Sequence, residues 1–155
     1  MKTKDDLFKD INTLLSANIE KLYTQLGELT YKSMLDEKLS ESRYITTSTG
    51  HKWLQVPNGY KDLTSGLVWK DKDEDQRHTY GDALAKFRNA LPTIEEFKKA
   101  ELHGLIEVVN LEKTYYWSAS INAFYRANAW VFVGANGYVG SSTRTNIYSV
   151  RCIAR

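Results

Sequence analysis

The residues from Trp117 to Trp130, WSASINAFYRANAW, are rich in side chains that recognise ligands and poor in side chains that transform them. Tyr and Phe offer a large contact area at a low cost in conformational entropy, while Asn and Ser form adaptable hydrogen bonds. Residues 136–146 have a similar composition. We interpret both stretches as parts of one binding surface; the alternative is that they are ordinary polar loops.

The turn between the two stretches predicts how their side chains are arranged. Asn136-Gly137 is the commonest two-residue hairpin signal, so AWVFV before it and the residues after it should run antiparallel. Residues 122–128 and 141–146 should then be neighbours, with Asn136 on the turn itself. We expect the candidate ligand-binding residues to be largely exposed on one face. They are Asn122, Phe124, Tyr125, Arg126, Asn128, Asn136, Tyr138, Ser142, Arg144 and Asn146.

The segment that carries this surface contains no acidic residue after Glu112. A paired-carboxylate acid–base site therefore cannot be built within it. With no carboxylate nearby, Arg126 and Arg144 should give the surface a positive potential that favours anionic ligands and weakens with salt. The basic residues of the segment are Lys113, Arg126, Arg144, Arg151 and Arg155.

Other residues with useful chemistry form no recognisable catalytic or metal motif. His51, His78 and His103 are scattered, which is typical of surface or helix-end positions. Cys152 is the single cysteine, which excludes an intrachain disulfide, and its alternating run is typical of a small core residue. Neither a glycine-rich phosphate loop nor a paired Cys/His zinc spacing is present. We therefore predict a protein that is not an enzyme and that uses no cofactor or metal.

Residues 71–82, DKDEDQRHTYGD, resemble a calcium loop only in part. Asp71, Asp73 and Asp75 match the first three ligand positions, and Asp82 falls at the twelfth. Gln76 stands where the loop needs glycine, and Asp82 is shorter than the usual bidentate glutamate. The pattern favours a solvated acidic turn.

An apolar stripe at helical spacing defines the first predicted element. Its period is that of a coiled-coil-like seam, which Gly27 interrupts at a cost of about 1 kcal/mol relative to alanine. We place this helical segment at residues 1–45 and a second domain at residues 46–155. The stripe packs either against that domain or against another copy of the chain. It consists of Phe8, Ile11, Leu15, Ile19, Leu22, Leu26 and Leu29.

Turn and capping signals organise the middle of the chain. Residues 39–52 indicate a polar linker or an irregular first strand, and residues 67–69 indicate a short strand after a Thr-Ser-Gly turn. A first short helix follows the N-cap residue Thr79 and ends before Pro92. A second begins with a capping box, in which Thr93 is followed three residues later by Glu96, and it ends at Gly104.

The C-terminal part changes to a strand pattern. TYYWSAS, AWVFV and YSVRCIAR are β-rich runs. Trp130 and Phe132 should share one face of their strand, and Tyr148, Val150 and Cys152 should alternate in theirs. An antiparallel sheet that follows two helices predicts the α+β class.

Length and charge limit the classes of partner. The 155 residues suffice for one domain and an appendage, and the net charge of +2 is too small to indicate nucleic acid or a membrane surface. No run approaches the ~18 apolar residues of a membrane span. The N-terminus lacks the pattern of a secretory signal, which by itself leaves the compartment open.

Several motifs, taken in order, resemble a known family over about residues 62–155. DLTSGLVWKD, ALPTIEEF, YYWSAS, AWVFVGANG and YSVRCIAR look like the Lcl-type C-terminal domain, a bacterial family named for a collagen-like adhesin. The sequence departs from the family at Asn89-Ala90, where W-R is usual before Leu91-Pro92, and it lacks a common insertion between residues 104 and 113.

The resemblance implies a C-type-lectin-like domain whose C-terminal turns display a ligand-binding surface. That fold group includes variable proteins of diversity-generating retroelements, in which surface codons are mutated while scaffold residues stay fixed. Trp117 and Trp130 would then be buried scaffold residues that hold the fold together. The residues between them would be display residues, which are exposed to a ligand and free to vary. Related formylglycine-generating enzymes use a cysteine pair, which the single Cys152 cannot supply.

These observations predict a non-enzymatic receptor-binding or adhesion protein with a protein or glycan ligand on a cell surface. The alternatives are a structural surface or virion subunit and an enzyme of the formylglycine-generating type. We expect neither nucleic-acid binding nor membrane insertion. A homo-oligomer formed through the N-terminal helix and display on a cell surface or virion are further expectations.

Overall fold

The computed structural model describes residues 3–41 and 43–155 of the chain. The chain divides into two compact units, Met1–Ser42 and Arg43–Arg155. The second unit therefore begins at Arg43, whereas the sequence placed the boundary at residue 46. Met1, Lys2 and Ser42 of the predicted helical segment lie outside the described residues.

The first unit is one helix, α1, which spans Lys4–Glu41 and confirms the predicted N-terminal helix. At its start, Asp6 N–H donates to Thr3 Oγ1 (3.3 Å) and Thr3 N–H donates to Asp6 Oδ2 (3.0 Å), which satisfies two backbone donors of the first turn. The helix continues through Gly27 without a break and includes residues 39–41, which were predicted as linker or strand. No helix in the described part of the chain is long and apolar enough to cross a membrane.

The second unit combines short helices with two antiparallel sheets, which confirms the α+β class. Its elements are β1 (Tyr44–Thr46), β2 (Lys52–Val56), β3 (Gly59–Asp62), β4 (Val68–Lys70), α2 (Tyr80–Phe87), α3 (Ile94–Leu102), α4 (Leu105–Val108), β5 (Tyr115–Ile121), β6 (Asn128–Val133), β7 (Val139–Thr143) and β8 (Ile153–Ala154).

The first sheet joins the beginning of the unit to its end, in the order β1-β2-β3-β4-β8. The predicted turn between β3 and β4 is present. Gly66 has φ +79° and donates its N–H to Asp62 O (2.8 Å), while Thr64 N–H donates to Asp62 Oδ1 (2.9 Å). Across the sheet, Trp69 of β4 pairs with Ile153 of β8. The last strand therefore closes a sheet whose other strands lie far earlier in the sequence.

Both predicted short helices are present with their caps. The Thr79 side chain accepts the Asp82 N–H at the start of α2, and Thr93 and Glu96 form the complete capping box of α3. Gly104, at φ +89°, ends α3 and also precedes α4. The helix α4 was not predicted, because four residues are too few to show a helical period.

The second sheet has the order β5-β6-β7, and β7 runs antiparallel to β6 as expected. Its hairpin is closed by Val133 N–H donating to Tyr138 O (2.8 Å), so the loop is residues 134–137 and not the two-residue turn predicted at Asn136-Gly137. The strand β7 itself was not predicted. The strand predicted for YSVRCIAR was too long. Within this run, strand pairing is limited to Ile153–Ala154 and to isolated bridges at Tyr148 and Ser149.

The second sheet separates two apolar clusters, so its central strand is buried on both faces. Phe132 stacks on Phe97 of α3, with ring centroids 4.6 Å apart, and Trp130 packs against the same cluster. Val131 points to the other cluster, which also contains Val150 and Cys152, with Tyr148 packed against it. Both predicted face assignments are confirmed. Burial on two sides explains why AWVFV is apolar at consecutive positions.

Candidate functional site

The loop between β5 and β6 is organised by one buried side chain. Asn122 is only 6% exposed, and its Oδ1 accepts the backbone N–H groups of Phe124 (3.0 Å) and Tyr125 (3.2 Å). Its Nδ2 donates to Ser141 Oγ (3.2 Å) on β7. The prediction that Asn122 is an exposed ligand contact is wrong: its short amide side chain forms an Asx-type turn that orders the loop.

Backbone hydrogen bonds close the same loop at its base. Asn122 N–H donates to Asn128 O (3.0 Å), and Asn128 N–H donates to Tyr125 O (2.8 Å). The loop therefore returns directly into β6. Phe124 and Tyr125, at its tip, are 90% and 70% exposed, and Arg126 is also exposed. These hydrogen bonds order the backbone that carries the exposed aromatic pair.

The two predicted stretches are neighbours, as the hairpin argument required. Asn128 pairs with Thr143 in the β6–β7 ladder, and Arg144 N–H donates to Ala127 O (3.1 Å). Arg144 is exposed and extends from the end of β7 beside the aromatic loop. We call Phe124, Tyr125, Arg126 and Arg144 the recognition face.

Two candidate residues lie on the strands next to the recognition face and are half-buried. Asn128 lies in β6 and Ser142 in β7, so the expectation of high exposure is wrong for both. Ser142 Oγ lies 2.9 Å from Tyr148 Oη, and Asn146 Nδ2 donates to Ser142 Oγ (2.8 Å). Asn146 is exposed, as predicted, and this contact ties the segment after β7 to the sheet.

Asn136 and Tyr138 lie apart from the recognition face, at the hairpin loop. Both are exposed, and Asn136 Oδ1 accepts the Tyr138 N–H (3.1 Å) within the hairpin loop. That loop lies beyond Val133, the opposite end of β6 from Asn128. A strand of six residues is about 20 Å long, so the candidate residues fall into two groups at opposite ends of β6.

The N-terminus of α2 completes the surroundings of Arg144. The Arg144 guanidinium lies over the Tyr80 ring, 5.0 Å from its centroid, and Tyr80 N–H donates to Arg144 O (3.1 Å). A cleft of about 470 Å³ opens here, lined by Arg144 with Thr79, Gly81, Ala127 and Thr145. The sequence could not identify the α2 residues as neighbours, because they lie far from Arg144 along the chain.

The ion pairs of the described residues bear on the electrostatic prediction. Among the described residues, neither Arg126 nor Arg144 has an ion-pair partner, whereas Arg155 pairs with Glu96 (2.9 Å). Two unpaired cations therefore remain on the recognition face.

Two exposed apolar side chains beside these segments were not among the candidates. Ile121, at the end of β5, is 45% exposed, and Ile147, which follows Asn146, is 59% exposed. In the sequence each is an apolar residue within a polar stretch. Whether such a residue is exposed depends on where its strand ends, and the sequence alone does not fix that position.

The scaffold role that the resemblance implies for the two tryptophans holds for one of them. Trp117 is fully buried, and its Nε1 donates to His78 O (2.8 Å). Trp130 is half-buried, so the expectation that it lies wholly under the sheet is wrong. Its strand lies between the clusters, but the Trp130 face is covered only in part.

The histidines are more buried than predicted. His103 is a helix-end residue, as expected, and its Nδ1 lies 2.7 Å from Oδ2 of the fully buried Asp62. His51 and His78 are half-buried rather than on the surface, and the His51 ring stacks on the His103 ring with centroids 4.2 Å apart. Trp53 Nε1 donates to His103 O (2.7 Å), which fixes this cluster within the scaffold.

Cys152 is a buried core residue, as predicted, and burial raises the pKa of its thiol to about 12. The acidic turn is less solvated than predicted. Asp73 is half-buried, its Oδ1 lies 2.6 Å from Arg151 Nη2, and its Oδ2 accepts the Tyr116 hydroxyl proton (2.7 Å). Burial raises the pKa of the Asp73 carboxyl, although Tyr116 and Arg151 both oppose that shift.

Comparison with known proteins found no relative: no protein-family model matches the chain, and no curated protein matches it. The function is therefore inferred from the geometry of the recognition face and its supports.

We expect Asn122→Ala to lower the free energy of unfolding by about 1–3 kcal/mol, because the N–H groups of Phe124 and Tyr125 lose a buried acceptor. Asn122→Asp keeps an oxygen at the same position and should retain most of the stability. Urea unfolding followed by near-UV circular dichroism compares the two variants. An Asn122→Ala protein as stable as the wild type would show that the amide does not order the loop.

Proposed function

We propose that the second unit is a non-enzymatic ligand-binding domain of the C-type-lectin-like type and that the recognition face is its binding surface. The observation that carries the proposal is the pair Phe124 and Tyr125, 90% and 70% exposed on a loop that Asn122 holds in one conformation. Exposed aromatic side chains beside arginines are the residue types that dominate binding energy in protein interfaces.

The order of elements supports the lectin-like assignment. Three short helices, α2, α3 and α4, precede the three-stranded sheet, and the last strand returns to pair with β4 in the first sheet. This arrangement leaves the β5–β6 loop and the end of β7 at one edge of the unit, where substitutions need not disturb the core. It agrees with the expectation from the resemblance that these segments are display and the remainder is scaffold.

The charges favour an anionic ligand. Arg126 and Arg144 are exposed and lack ion-pair partners among the described residues, and a guanidinium binds carboxylate, sulfate or phosphate groups in a bidentate manner. We therefore propose an acidic glycan or an acidic protein surface on a cell as the ligand, and adhesion or receptor binding as the role.

Enzymatic alternatives receive little support from the geometry. A thiol needs its thiolate form for nucleophilic chemistry, and burial raises the pKa of Cys152 to about 12. Retroelement-directed diversification of the display residues remains part of the proposal. Sequencing of the neighbouring DNA tests it: a reverse transcriptase gene and a near-copy of the final coding stretch that differs at adenines would support it.

We expect the triple variant Tyr125→Ala, Arg126→Ala, Arg144→Ala to lose ligand binding by roughly 100-fold or more, since aromatic and arginine anchors each contribute about 2 kcal/mol or more. Its melting temperature should stay within a few degrees of the wild type, because exposed substitutions usually cost no more than ~0.5 kcal/mol each. Acidic and neutral glycans and a set of cell-surface proteins serve as ligands, with binding followed by surface plasmon resonance.

The matched control is Tyr44→Ala, Lys52→Ala, Lys99→Ala, which removes one exposed ring and two cations elsewhere on the unit. It should bind as the wild type does. Binding to an acidic ligand should also weaken as NaCl rises from ~0.15 M to ~1 M. Equal binding by the two triple variants, or no binding by the wild type to any ligand tested, would favour the structural-subunit alternative.

A further inference from the structure

The first unit exposes a continuous apolar stripe. The stripe residues Phe8, Ile11, Leu15, Ile19, Leu22, Leu26 and Leu29 are each between 50% and 65% exposed. At about 100° per residue, they fall within an arc of roughly 80° on α1. Exposed contiguous apolar surface of this kind marks an interaction site in soluble proteins.

The spacing of the stripe matches the seam of a helix pair. Its steps of three and four residues average 3.5 residues between Phe8 and Leu29, which is the coiled-coil period. A straight seam of this period is complementary to another helix with the same period. In the described part of the second unit, α2, α3 and α4 have eight, nine and four residues, and each contributes buried residues to that unit.

We infer that the stripe is covered by the same stripe of a second copy of this chain, so that α1 is a self-association helix. The amount of surface agrees with this occupant. Seven large side chains, each at least half exposed, give a contact of the same order as the ~800 Å² per partner that stable interfaces bury. The helix has 38 residues, so it is about 57 Å long and the whole stripe fits along it.

Self-association also explains how α1 is stabilised. Most of the stability of a helix in a protein comes from packing of its apolar face, and propensity alone leaves it marginal. The helix contains Gly27, which weakens it further by about 1 kcal/mol. Burial of the stripe against a second α1 supplies the missing stabilisation.

Sedimentation equilibrium of the full chain tests the inference with two charge-matched variants. Leu15→Asp with Leu22→Asp places two carboxylates in the seam. Ala17→Asp with Thr24→Asp places two carboxylates, also seven residues apart, on the opposite side of the helix. The wild type and the Ala17/Thr24 variant should have a mass of at least two chains at micromolar concentration. The Leu15/Leu22 variant should associate roughly 100-fold more weakly, because a buried unpaired carboxylate is strongly unfavourable.

Near-UV circular dichroism is the folding control, because all four tryptophans lie in the second unit. Its spectrum should be unchanged in both variants. A wild type with the mass of one chain across the concentration range would overturn the inference, since the stripe would then be covered within its own chain. A Leu15/Leu22 variant with the wild-type mass would also overturn it, by showing that another surface holds the copies together.

Discussion

Replacement of Trp117 by alanine is expected to lower the free energy of unfolding of the second unit by about 3–5 kcal/mol. The ring is fully buried and packs at an angle against Tyr80, with centroids 5.5 Å apart, and against Tyr148, at 4.9 Å. Truncation would leave a large cavity in the cluster between α2 and the second sheet. His78 O would also lose the indole N–H that donates to it.

The measurement is urea unfolding followed by near-UV circular dichroism, with Trp130→Ala as the internal comparison. Trp130 is half-buried, so its truncation should cost less, about 1–2 kcal/mol. Trp117→Phe keeps an aromatic ring but loses the N–H donor, and it should lie between the alanine variant and the wild type. A larger loss for Trp130→Ala than for Trp117→Ala would contradict the assignment of Trp117 as the central scaffold residue.

Replacement of Arg151 by methionine should be similarly destabilising, by about 3–5 kcal/mol, because it leaves the half-buried Asp73 carboxylate without its cation and two carbonyl groups without their donor. Arg151 is 1% exposed. Its Nη1 donates to Lys70 O (2.8 Å) and its Nη2 to Asn110 O (2.9 Å), while Asp73 Oδ1 lies 2.6 Å from Nη2. One side chain thus holds β4, the acidic turn and the loop before β5 together.

A double-mutant cycle with Asp73→Asn separates the pair from the rest of the network. The double variant should recover part of the loss, because it removes the isolated charge. Arg151→Lys should remain destabilised, since an ammonium group cannot reproduce the planar fork that contacts both carbonyl groups. A fully additive cycle would show that Arg151 and Asp73 contribute independently.

The pH dependence of Arg151→Met has a definite sign. Burial already raises the pKa of Asp73, and removal of Arg151 removes a group that opposes this shift. When the pKa of a carboxyl is higher in the folded state than in the unfolded state, the free energy of unfolding falls as pH rises, because the carboxyl ionises more readily in the unfolded chain. The decrease in the free energy of unfolding caused by Arg151→Met should therefore be greater at pH 7 than near pH 4. Addition of Asp73→Asn to that variant should abolish the difference between the two pH values.

Local signals in the sequence were sufficient to predict those turns and helix ends that depend only on neighbouring residues. Thr79, the Thr93–Glu96 capping box, Gly66 and Gly104 marked their turns and helix ends correctly. Each acts through hydrogen bonds or backbone angles within about four residues, so no knowledge of the fold was needed. The period of the apolar stripe predicted α1 for the same reason, although the helix also includes residues 39–41, which were predicted as linker or strand.

The tertiary structure alone decided the features that depend on contacts between distant segments. The strand β7, VGSST, has no apolar alternation and exists because β6 supplies its hydrogen-bond ladder. Asn122 and Arg151 are polar residues of ordinary composition whose burial is compensated by partners elsewhere in the chain, on β7 for Asn122 and at Lys70 and Asn110 for Arg151. A polar side chain can be buried only where such partners converge, and convergence is a property of the fold rather than of any local pattern.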